Sequence, residues 1–150
     1  MNYRRYVPII CIVGAFIGFF AATQLWIHAV EGFPSIMNVT GLDLMNSEYD
    51  GFQKYIPVIV IVLSAISIVT SASAMISPRL WFCAFISLIL GAAIMVVTSI
   101  FTMWVIDGEK AVHFADIGLW LSYLAGTVII FGVAIQYSTL FVKTKNAGRR

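Results

Sequence analysis

Charge is what this sequence has least of. Only 11% of its 150 residues are Asp, Glu, Lys or Arg, less than half the roughly 25% carried by a soluble domain. Cysteine is scarce too: Cys11 and Cys83 stand alone, with no Cys-x-x-Cys pair, so a dithiol–disulfide oxidoreductase is excluded and both thiols read as small apolar residues. Glycine-rich phosphate loops, Ser-His-Asp and Cys-His sets, and basic stretches interleaved with aromatics are absent. Nothing here predicts a catalytic residue, a cofactor or a nucleic-acid partner. The two histidines sit at segment ends, so no axial pair for haem lies within facing helices. Nor is there an ionisable side chain near the middle of any long apolar run, which argues against a proton-coupled pump or a voltage sensor.

What is there is apolar. Hydrophobic residues make up 61% of the chain, too much to hide behind so few polar ones unless lipid replaces water around most of the molecule. The excess lies in four segments, Val7–Val30, Tyr55–Ser77, Leu80–Ile106 and Ile117–Val142. Each exceeds the ~20 residues a helix needs to cross ~30 Å of hydrocarbon. None alternates polar with apolar as barrel strands do. The expectation is an all-α integral membrane protein, an antiparallel four-transmembrane-helix bundle in one domain. Its outer loops span 31–54 and 107–116. The first segment reads as a retained helix rather than a secretory signal, being long for a signal's apolar core.

Charge placement orients this bundle. Arg4, Arg5, Arg79, Lys143, Lys145, Arg149 and Arg150 fall on one side, and all seven acids fall on the other with only Lys54 and Lys110. Basic loops stay inside, so both termini are expected to be cytoplasmic in a cell-membrane protein. The basic tail would also attract anionic headgroups. Tyr6, Trp81 and Tyr137 are expected at the inner boundary and Trp26, Tyr55, Trp104 and Trp120 at the outer one. Pro8 and Pro57 suit first helical turns, and Asp116 suits the N-cap of the last helix.

Small and hydroxylated residues recur at helical spacing. Gly14-x-x-x-Gly18, Gly91, and Gly118-x-x-x-Ser122-x-x-x-Gly126 are expected as helix-packing positions, where backbones approach closely. Ser64, Ser67 and Ser71, then Ser87, Thr98 and Thr102, form hydroxyl faces that suit packing or a polar groove for a small solute. His28, His113 and Asp116 fall near one membrane face, with Glu31, Asp107 and Glu109 close by in the sequence, and are the candidate metal ligands. Asn38-Val39-Thr40 matches the N-glycosylation pattern. Phe33, Ile36, Met37, Leu42, Leu44, Met45 and Phe52 make the first outer loop more apolar than a solvated linker.

The layout resembles the claudin and peripheral-myelin-protein type of tetraspan: a larger first outer loop, a very short inner turn and a smaller second outer loop. The likeness is one of topology across the whole chain. That family's Trp-Gly-Leu-Trp-Cys-Cys signature belongs to the first outer loop, whereas Gly118-Leu119-Trp120 opens the fourth helix here and the loop has no cysteine. No functional residue is carried over. The function expected is that of a non-enzymatic accessory or structural subunit, partnered by the bilayer and by other membrane proteins or copies of itself. The alternatives are a small homo-oligomeric channel or transporter, and a metal-dependent membrane enzyme subunit.

Overall fold

The computed structural model describes residues 7–29, 39–46, 51–76, 81–107 and 113–147. The chain is mostly helical. Its long elements are α1 (Val7–Ala21), α3 (Ile56–Ile76), α4 (Trp81–Asp107) and α5 (Ile117–Ala147). Between them lie β1 (Leu25–Ala29), β2 (Val39–Thr40), the short α2 (Gly41–Met45), a 3-10 turn at Phe52–Tyr55 and β3 (His113–Ala115).

Among the described residues, three helices are long and apolar enough to cross a membrane, within Ile56–Ile76, Phe82–Met103 and Ile117–Ser138. Helix is the form such segments take, because lipid offers no partner for an unpaired N–H or C=O and a helix satisfies both internally. Each long helix packs on two others, α1 on α3 and α5, and α4 on α3 and α5. Contacts run in opposite directions along neighbours. Gly14 meets Ile129 while Gly18 meets Ala125, and Gly91 meets Ile129 while Thr102 meets Tyr123.

The first expected span departs from this pattern. Instead of running from Val7 to Val30 as one helix, it stops at Ala21, and Leu25–Ala29 is a strand. At 1.5 Å per residue, α1 reaches only about 22 Å. Its end is closed by specific groups: the Thr23 N–H (3.0 Å) and hydroxyl (2.8 Å) both donate to the Phe20 carbonyl. The Gln24 N–H (3.1 Å) and the Trp26 indole N–H (2.9 Å) both donate to that of Ala21. These are the carbonyls a helix end leaves without partners. The chain is also not all-α. β1 is the middle strand of an antiparallel sheet of order β2-β1-β3, joining the segment before α3 to the segment after α4.

Trp26 sits where these pieces converge. The register slips between Leu25↔Thr40 and Ile27↔Val39, so Trp26 is the extra residue of a bulge, a device that re-aims a side chain. Trp26 and Ile27 are both fully buried. The indole meets Phe101 of α4 edge-on, with ring centroids 5.1 Å apart. Only glycine fits against it from two sides. A Cβ on Gly41 would come within 2.7 Å of the indole nitrogen, and one on Gly118 within 2.6 Å. Trp26 is therefore not a boundary anchor but the pin of the core. Tyr55 and Trp120 are exposed near the same end.

Candidate functional site

The three candidate metal ligands come from β1, β3 and the residue before α5. His28 pairs with Phe114 and Ala29 with His113, so the two histidine backbones occupy successive rungs of neighbouring strands; their side chains lie outside the described residues. Asp116 is placed to start α5. Its carboxylate accepts the Ile117 N–H at 2.6 Å, and its carbonyl accepts those of Leu119 (3.0 Å) and Trp120 (3.4 Å). Among the described residues, no group of three or more His, Cys, Asp or Glu side chains is arranged to hold a metal. Asn38 lies outside the described residues. Cys11 and Cys83 are buried free thiols, and Cys11 Sγ stands 3.6 Å from the Ile129 carbonyl.

The small-residue positions lie between helices of this one chain. Gly14 faces Val128 and Ile129, Gly18 faces Ser64 and Ala125, and Gly91 and Gly126 bring α4 and α5 together beside Met95. Gly118 receives the Trp26 indole, and the buried Ser122 hydroxyl donates back to the Gly118 carbonyl at 3.0 Å. Gly132 does for Cys11 what Gly118 does for Trp26, a pairing that spacing alone did not single out. These faces are filled internally, and none is left over for a second protein.

The hydroxyl faces divide into three groups. Toward the end away from the sheet, Ser87 is linked to Thr70 (2.9 Å) and Ser71 (3.2 Å), tying α3 to α4. In the middle, the side-chain oxygens of Ser64 and Ser67 are buried with no hydrogen-bond partner. Toward the sheet end, Ser99, Thr102 and Tyr123 form a cluster between α4 and α5. The serines and threonines repeat at helical spacing in the sequence. Tyr123 does not belong to that pattern, and its part emerges only from the antiparallel placing of α5 against α4.

Above the bundle's sheet end, α2 packs on α3 and on the 3-10 turn. Leu44 is buried beneath it, while Leu42, Met45 and Phe52 turn outward, Phe52 at 61% exposure. Thr40 caps α2, accepting the Asp43 N–H at 3.2 Å and meeting the Asp43 carboxylate at 2.6 Å. The cap is thus an ordered element that carries apolar side chains on its outside.

Comparison with protein-family models, with curated proteins and with solved structures returned no match.

Proposed function

We propose that the chain is a small, non-enzymatic multi-pass membrane protein that serves as an accessory or structural subunit, docking through its sheet-end cap on another membrane protein. The observation that carries this reading is the outward apolar set of Leu42 and Met45 on α2 and Phe52 on the adjoining 3-10 turn. Exposed apolar side chains gathered together mark interaction surfaces. The glycine faces do not add to the case, being occupied within the chain.

In this proposal α1 is the fourth span, and both termini are cytoplasmic. Helix α1 is short, but β1 continues it inside the protein with partners on both sides. Non-helical backbone at membrane depth is tolerated where protein buries it in this way. The orientation rests on the seven basic residues of the termini and the short turn. The likeness to claudin-type tetraspans is kept as layout alone, and no junctional role is proposed for a loop without cysteine. A channel built from several copies finds less support. Ser64, Ser67, Ser71, Ser87 and Thr98 are buried within a single copy, which leaves mainly apolar faces to line a path between copies.

The test is native mass spectrometry of the protein extracted from its own membrane in a mild detergent. Other polypeptides in fixed ratio are expected, and Leu42→Ser with Phe52→Ser should release them while the chain stays folded. Only whole multiples of the chain's own mass would overturn the subunit reading and put a self-assembled scaffold or channel in its place.

A further inference from the structure

At the α4–α5 contact, three hydroxyls share four close polar contacts. Ser99 Oγ donates to the Met95 carbonyl at 2.8 Å, Thr102 Oγ1 to the Thr98 carbonyl at 2.9 Å, and Tyr123 OH to Ser99 Oγ at 3.0 Å. Thr102 Oγ1 also stands 3.1 Å from Tyr123 OH. A hydroxyl has one proton and two lone pairs, so four polar approaches share three protons. The cluster lacks one donor and has lone pairs to spare. An incoming O–H would supply the missing proton. A carbonyl or phosphate oxygen brings no proton and would have to draw one away from a contact already made.

The surroundings say what kind of molecule carries that O–H. All three residues are half-buried, with the Tyr123 ring packed on the core and part of each side chain still accessible. Near it in the sequence stand exposed apolar residues, Val96, Ile100 and Met103 of α4 and Trp120 and Leu124 of α5. The Trp120 ring lies 6.3 Å from that of Tyr123. Thr102 is five residues from the end of α4 and Tyr123 six from the start of α5, about 8–9 Å along each helix. The headgroup layer is roughly 5–8 Å thick on each side of a bilayer. The hydroxyls therefore fall just below the headgroups, in the leaflet on the sheet side.

We propose that this cluster is a lipid site for a molecule whose polar head is a single free hydroxyl on an apolar body. The hydroxyl donates into the Thr102–Tyr123 pair, and the body lies along Trp120, Met103 and Ile100. Sterols and diacylglycerols share that chemistry. The proposal rests on α4 and α5 crossing a bilayer, and the experiment separates the two claims.

The protein, with Trp81 and Trp104 replaced by Phe so that Trp120 is the accessible fluorophore, is placed in phosphatidylcholine nanodiscs. Brominated diacylglycerol is compared with its 3-O-acetyl ester, and a brominated sterol with its methyl ether. Brominated phosphatidylcholine is the reference. In at least one arm, the free hydroxyl should reach half-quenching at about one-third the mole fraction of its capped form, the scale of one hydrogen bond made within a membrane. The arm that responds identifies the lipid. Tyr123→Phe, which keeps the ring, should bring the two forms to parity, and Thr102→Val should weaken the preference. Parity in both arms, or a preference that survives Tyr123→Phe, overturns the lipid site alone. Failure of the reference lipid to quench Trp120 overturns the membrane reading as well.

Discussion

At the scale of single residues, Trp26 carries more of the structure than any other side chain described. It closes α1 through the Ala21 carbonyl, meets Phe101 edge-on, and is seated against Gly41 and Gly118. Gly118→Ala should cost about 1–3 kcal/mol through overpacking, read as a lower midpoint in a detergent unfolding titration. The orphan hydroxyls predict the opposite sign. Ser64→Ala and Ser67→Ala each remove a buried oxygen without a partner, so stability should hold or rise by up to about 1 kcal/mol. Ser87→Ala breaks the link between α3 and α4 and should cost about 0.6–2 kcal/mol in the same titration. Equal losses for all three serines would contradict this division. The hydroxyl spacing was legible in the sequence because a helix repeats every 3.6 residues. The burial of Trp26 was not, because a tryptophan near the end of an apolar run looks the same whether it meets headgroups or a pair of glycines far off in the chain.

At the scale of elements, the sequence located the long helices closely and misread one. The expected segments 55–77 and 80–106 correspond to Ile56–Ile76 and Trp81–Asp107, and the last helix begins at Ile117 as expected but runs on to Ala147. Length and hydropathy suffice where a segment spans as one piece. They fail in the first segment, since a continuous apolar run does not distinguish helix from buried strand. The clues were local: Thr23 and Gln24 interrupt the run, and Leu25-Trp26-Ile27 is rich in aromatic and branched side chains that favour strands. Thr23 closes α1 through its N–H and hydroxyl on the Phe20 carbonyl, so Thr23→Val, which keeps the shape and drops the hydroxyl, should cost about 0.5–1.5 kcal/mol in the same unfolding titration. An unchanged midpoint would count against this closure of α1.

At the scale of the whole molecule, the proposed orientation has a direct test. Tags at the two termini should both be cleaved only when the cytoplasmic face is opened to protease, while a tag after Asn46 should be cleaved from outside. Termini found on opposite faces would leave α3, α4 and α5 as the only spans. That the chain holds helices long and apolar enough to cross a membrane was plain from its composition. The hydroxyl cluster between α4 and α5 was not, because it joins α4 to a tyrosine on α5 that no periodicity marks.

The central position of β1 has a consequence for how the molecule is made. The strand leaves the ribosome early, yet its partner β3 is synthesised only after α3 and α4 have followed. At roughly 5–20 residues per second, the nascent chain waits for several seconds with one edge of β1 unanswered. A chain halted before residue 113 would keep that edge open beside a Trp26 whose seat on Gly118 does not yet exist. Closing the sheet thus requires α3 and α4 to have been made first, and seating Trp26 requires the start of α5 as well.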